Sequence, residues 1–215
     1  MSSPALNGLF LPGWGATAGL YAAGLPEGWE ALELPSFRHT RGEFFVYHRW
    51  LADELLRRRA LVALGGHSMG AVLALLAAID RPELVQRLVL VSPAGLPLTK
   101  TMRASTATFV RQVLSGRYRP GHLGWMLGRV ARAPVSALRL ARAVHGLDVR
   151  PARERFDVDR VPCTVVGCTT DTLTPPGHCR ELAGAFGADY REVDARDGHI
   201  WPITQPQLLA AELSR

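Results

Sequence analysis

An α/β fold built on a parallel sheet is the class this sequence predicts, and three observations predict it. Short apolar runs recur along the chain with helical patterns between them, the alternation that produces right-handed strand–helix–strand crossovers. Several of those runs are apolar without a break, as strands covered by helices on both faces must be. Hydrophobic residues make up 47% of the 215 positions and charged residues 20%. That is enough apolar material for one sizeable core without help from metal or disulfides.

Six runs read as strands: 6–11, 29–34, 60–64, 87–92, 163–168 and 190–194. Between the second and third, residues 42–59 place Phe44, Phe45, Tyr47, Trp50, Leu51, Leu55 and Leu56 on one broad helical stripe. Residues 70–79 are apolar almost all round, which predicts a buried helix. Pro82 opens a further short turn, and 205–213 makes a final amphipathic helix. The segment 96–157 breaks this rhythm. It has no convincing strand, helical stretches at 100–114 and 134–146, and two glycine-rich patches within 116–128. It reads as a helical cap inserted into a core formed by 1–95 and 158–215.

Charge divides along the same line. The chain carries a net +6 with a pI near 9.9. Residues 96–157 hold twelve Lys and Arg against three acids, a net +9, and the remainder holds thirteen against sixteen, a net −3. A basic protein can be a nucleic-acid binder. Here the aromatic residues of the basic segment (Phe109, Tyr118, Trp125, Phe156) are not interleaved with its arginines as a base-stacking surface requires, which argues against nucleic acid. A positive cap instead suits an anionic substrate or an acidic partner, with Arg132, Arg139 and Arg142 on one exposed face.

No apolar run approaches the ~18–20 residues of a membrane span, and the first residues lack the basic and apolar regions of a signal peptide. Cys163, Cys168 and Cys179 are an odd number without framework or zinc-site spacing. Five positions apart on one strand, Cys163 and Cys168 point to opposite faces. Buried reduced thiols in a cytoplasmic protein without metal or cofactor are the expectation.

The chemistry is concentrated in Gly66-His67-Ser68-Met69-Gly70. This Gly-x-Ser-x-Gly lies where a predicted strand ends and a predicted buried helix begins, the context in which the serine sits on a sharp turn with its hydroxyl exposed. Gly66 and Gly70 suit a turn that brings strand and helix backbones close together. A serine nucleophile needs a base, and the base needs an orienting acid. His199, in Asp197-Gly198-His199-Ile200-Trp201-Pro202, falls just after the last strand. Asp171 follows the fifth strand, in Thr169-Thr170-Asp171-Thr172. Asp194 and Asp197 are rivals, but they lie on the histidine's own strand and loop, awkwardly placed to reach round to its ring. All three chosen residues follow strand ends, hence one rim of the sheet, in the chain order Ser, Asp, His. Oxyanion donors are expected from the backbone N–H of Met69 and from Trp14 in Pro12-Gly13-Trp14-Gly15.

With these motifs the chain resembles the α/β-hydrolases over nearly its whole length, from Leu6 to the end. Two departures stand out. The family's usual first hairpin is absent, which leaves about six strands, and the usual His-Gly before the oxyanion residue is Pro12-Gly13 here. The resemblance implies an all-parallel strand order 2-1-3-4-5-6 and a carboxylic ester or thioester hydrolase. Within the family the Gly-Trp-Gly loop and small helical cap are most similar in style to the pimeloyl-carrier-protein methyl esterases of biotin synthesis. There an Arg-bearing cap holds an acidic acyl carrier protein. Family relatives also include triad-based lyases, cofactor-free haloperoxidases and non-catalytic ligand receptors. The complete Ser, His and Asp set argues against the receptors.

Overall fold

The structure, a computed structural model, describes residues 8–115 and 120–215. Its centre is one six-stranded, all-parallel sheet: β1 (Gly8–Leu11), β2 (Trp29–Ala31), β3 (Val62–His67), β4 (Val85–Val91), β5 (Cys163–Cys168) and β6 (Asp189–Val193). The strand order is β2-β1-β3-β4-β5-β6, as the resemblance implies. Leu6 and Asn7, the first residues of the expected first strand, lie outside the described residues.

Alternation along the strands divides the core in two. Leu9, Leu11, Leu64, Leu88, Leu90, Cys163 and Val165 pack on one face, and Phe10, Val89, Val91, Val166 and Cys168 on the other. The first face is covered by α2 (Phe44–Arg58), which follows the one-turn α1 (Phe37–Thr40), by α3 (Met69–Asp80) and by α7 (Pro176–Phe186). On the second face lie α8 (Trp201–Thr204) and α9 (Pro206–Ser214), through Trp201, Leu209 and Leu213. Cys163 and Cys168 point to opposite faces, and all three cysteines are free and buried.

Helix α2 buries a narrower stripe than the sequence suggests. Phe44, Tyr47, Leu51 and Leu55 face the core, whereas Phe45 is 70% exposed and Leu56 44%. At 3.6 residues per turn, positions 45 and 56 fall about 100° past the buried line, beyond the reach of the facing α3.

Three α-helices lie between β4 and β5: α4 (Met102–Ser115), α5 (Pro120–Arg132) and α6 (Pro134–His145). The sequence patterns anticipate α4 and α6 but leave α5 among glycine-rich patches. Gly121, Gly124 and Gly128 each lower helix propensity by about 1 kcal/mol relative to alanine. Tertiary contacts override them. Arg129 donates to the Leu34 and Pro35 carbonyls at 3.1 and 3.5 Å and pairs with Glu33. Proline at the first turn costs no helical hydrogen bond. Among the described residues no helix is long and apolar enough to cross a membrane.

Candidate active site

At the end of β3 the chain turns sharply into α3 through Ser68, whose φ of 54° and ψ of −114° lie in a region non-glycine residues rarely adopt. The flanking glycines make the turn possible. A Cβ on Gly66 would lie 2.4 Å from the Gly70 carbonyl carbon, and one on Gly70 would lie 2.2 Å from the Leu11 carbonyl oxygen. No side chain fits either position. Ser68 is held there by its backbone N–H donating to the Val91 carbonyl at 2.9 Å. It lines a cavity of about 140 Å³ between the strand ends and helices α4, α5 and α6, which Trp14 and His199 also line.

His199 sits in the loop after β6, 2% exposed, and its Nδ1 lies 2.8 Å from Asp171 Oδ2. Asp194 is turned away and accepts a hydrogen bond from the Thr169 hydroxyl at 3.0 Å. The structure therefore brings Asp171, not its rivals, to the imidazole. Asp171 Oδ1 accepts from the Leu173 and Thr174 N–H groups at 2.8 and 3.0 Å. Burial pushes this carboxyl up, but the adjacent His199, the hydrogen bond it makes and the Thr174 and Leu173 amides outweigh it. The net pKa is below the ordinary carboxylate value. An ionised Asp171 fixes the proton on His199 Nδ1, leaving Nε2 as the free basic nitrogen.

Three contributors escape sequence reasoning. Thr174 is buried beside the pair, its hydroxyl 2.9 Å from Asp171 Oδ2 and 3.2 Å from both His199 Nδ1 and the Ser92 carbonyl. Its three-residue spacing from Asp171 is a turn signal that could have flagged it. Gln112 on α4 accepts from the His199 N–H at 3.3 Å. His67, inside the serine motif itself, packs against His199 with ring centres 4.7 Å apart and planes tilted by 42°. Its Nε2 lies 2.8 Å from the His199 carbonyl, and since a carbonyl only accepts, Nε2 carries the proton. Nδ1 is then the acceptor for the Tyr21 hydroxyl at 2.7 Å, and that hydroxyl accepts in turn from the Gly13 N–H at 3.2 Å. One buried chain of hydrogen bonds thus ties the loop after β1, the serine turn and the histidine loop together. Burial first, then the neighbouring His199, lowers the His67 pKa to about 3, against smaller opposing effects of Asp171 and the His199 carbonyl.

Trp14 lies on the loop after β1. Its indole N–H donates to the Ala137 carbonyl at 3.1 Å, and its ring packs on Phe37 and Phe109. Met69, the residue after Ser68, begins α3 and is buried. Trp14 lines the cavity, and Met69 directly follows Ser68 at the positive end of the helix dipole. Among the described residues no group of three His, Cys, Asp or Glu side chains gathers as a metal site would require.

Comparison with solved structures gives the same architecture. A hydrolase from Oleispira antarctica matches with a TM-score of 0.76 at 14% identity, over 99% of this chain and 90% of that one. The RedJ thioesterase of prodiginine biosynthesis in Streptomyces coelicolor matches with a TM-score of 0.70 at 18% identity, over 99% and 95%. A putative non-heme bromoperoxidase, BpoC, from Mycobacterium tuberculosis H37Rv matches with a TM-score of 0.65 at 18% identity, over 99% and 92%. No curated protein sequence matches significantly. Identities this low establish the fold alone. The sequence model of the alpha/beta hydrolase family matches residues 9–212, nearly the whole chain, and the protein belongs to that family.

Proposed function

We propose that the protein is a serine hydrolase of carboxylic esters or thioesters, with Ser68 as nucleophile, His199 as base and Asp171 as the acid that orients it. The observation that carries this reading is the 2.8 Å contact between buried Asp171 and His199 Nδ1, with Ser68 facing the same cavity on its strained turn. Ser68 Oγ attacks the carbonyl carbon while His199 Nε2 takes its proton. The resulting oxyanion is met by the Met69 and Trp14 N–H groups. His199 then returns the proton to the departing alcohol or thiol, and water repeats the cycle on the acyl-enzyme. The cysteines do not compete for the role of nucleophile: burial pushes Cys163 up to about 12 and Cys179 higher still, and neither thiol faces the cavity. Three free thiols support a reducing, cytoplasmic setting.

The insertion at 96–157 serves in this reading as a cap over the acyl site. Among the described residues, four of its twelve Lys and Arg side chains pair with the core. Arg129 pairs with Glu33, Arg139 with Glu43, Arg150 with Glu181 and Arg155 with Asp80, four links between cap and core. Arg132 and Arg142 are exposed and make no ion pair among the described residues. They are the side chains on which an acidic acyl carrier protein would dock, with a methyl ester on a carrier-linked acyl chain, as in biotin synthesis, the candidate substrate.

The test is a panel of p-nitrophenyl esters, methyl esters and acyl thioesters of graded chain length. Turnover of esters or thioesters that disappears in Ser68→Ala supports the reading. Halide-dependent peroxide chemistry or elimination without any hydrolysis would replace it with the haloperoxidase or lyase alternative.

A further inference from the structure

The cavity at Ser68 has an apolar wall on its far side, formed by Leu98, Met102, Phe109, Val113, Met126 and Val144. No acid, lysine or arginine is among its described lining residues. Its volume, about 140 Å³, is close to that of an apolar protein cavity that takes up a benzene molecule, a ligand of about six heavy atoms. Such a wall suits a short acyl chain.

One residue of this wall does not fit a plain alkyl chain. Ser105, on α4, is 5% exposed, and its hydroxyl has no hydrogen-bond partner among the described residues. Buried serines on helices usually satisfy themselves on the carbonyl one turn back. The neighbouring Thr106 does this, donating to the Met102 carbonyl at 2.8 Å. Ser105 does not: its backbone N–H donates to the Thr101 carbonyl at 2.9 Å, but its hydroxyl makes no hydrogen bond among the described residues. Several other polar residues of the lining already hold hydrogen bonds. His145 Nε2 donates to the Lys100 carbonyl at 2.9 Å, Thr174 is bound to Asp171, and Tyr21 and His67 are bound to each other. A buried hydroxyl without a partner is unfavourable, and alanine would both avoid that and favour the helix.

We infer that Ser105 is a specificity-determining residue, hydrogen-bonding an oxygen carried on the acyl chain, so that the preferred substrates are short keto- or hydroxy-acyl esters rather than unsubstituted ones. This rests on the hydrolase reading above and refines it. A site built to bond a substrate oxygen discriminates strongly against the analogue lacking it, because its own polar group is then left buried alone.

The experiment compares the native protein with Ser105→Ala on methyl hexanoate and its 3-oxo, 4-oxo, 5-oxo and 3-hydroxy counterparts, with thermal melting as a check that the variant is folded. The native protein should favour at least one oxygenated ester by about tenfold or more in kcat/KM. Ser105→Ala should bring that ratio to within about twofold. An unchanged ratio in Ser105→Ala, or a native preference for methyl hexanoate over every oxygenated ester, overturns the inference. The same five esters are titrated onto Ser68→Ala with and without Ser105→Ala. Binding selectivity that depends on Ser105, without turnover by the native protein, would sink the hydrolase reading and keep Ser105. Binding that is indifferent to Ser105 would sink Ser105 alone.

Discussion

Lowering the pH from 7 to 4 should destabilise this protein through His67. In the folded chain the His67 pKa is about 3, whereas an unfolded histidine takes up its proton near 6.5. Between those values the unfolded state binds more protons than the folded one, so stability rises with pH across this window and falls on acidification. At pH 4 the unfolded form is favoured by the protonation of a group with pKa near 6.5, less the small protonation of the folded group. That amounts to about 3 kcal/mol, a large fraction of the ~5–15 kcal/mol that holds a domain together. Asp171, whose pKa is lowered in the folded state, contributes separately, and its contribution is lost only as the pH falls below the ordinary carboxylate range. The assay is urea denaturation at half-unit steps from pH 7 to pH 4, comparing the native protein with His67→Gln. Loss of the titrating group should flatten the slope by up to one proton. In parallel, the His67 ring resonance should not titrate between pH 8 and pH 5 and should show the proton on Nε2. Equal slopes in the two proteins, together with a His67 resonance titrating near pH 6.5, would refute the reasoning.

Asp171→Asn should leave the fold intact but lower kcat by about 10⁴-fold, because the amide favours the wrong tautomer of His199. A lowered melting temperature with unchanged turnover per folded molecule would instead make Asp171 a turn-capping residue. Charge reversal at Arg132 and Arg142 should reduce kcat/KM for an ester linked to an acidic carrier protein, and should do so less as salt rises, while a neutral short ester is unaffected. Equal effects on both esters would return those arginines to plain surface residues.

What the sequence disclosed follows from how local each signal is. β5 spans the predicted 163–168, a mostly apolar run interrupted only by Thr164 and Gly167, and it pairs with β4 and β6 on its two sides. β3 runs past the predicted end at Leu64 through Gly65, Gly66 and His67, which pair with Val89, Leu90 and Val91. Glycine is depleted from strands in general, so only the neighbouring strand reveals this extension. Helix α5 was hidden by its glycines for the same reason, its support coming from the loop after β2. The placing of Ser68, Asp171 and His199 after strand ends was legible because chain order and strand ends are linear features. Tyr21 and His67 were not, since their hydrogen bond joins residues 46 positions apart and leaves no local pattern. Ser105 resembles any helical serine until its lack of a partner is seen.

The central claim is that Ser68 is a covalent nucleophile, and intact-protein mass spectrometry after treatment with a fluorophosphonate tests it most directly. The native protein should gain one adduct, mapped to Ser68, and lose its ester turnover in step with labelling. Ser68→Ala should gain none and show kcat lower by about 10⁴-fold or more. Labelling at another residue, or near-normal hydrolysis by Ser68→Ala, would contradict the account.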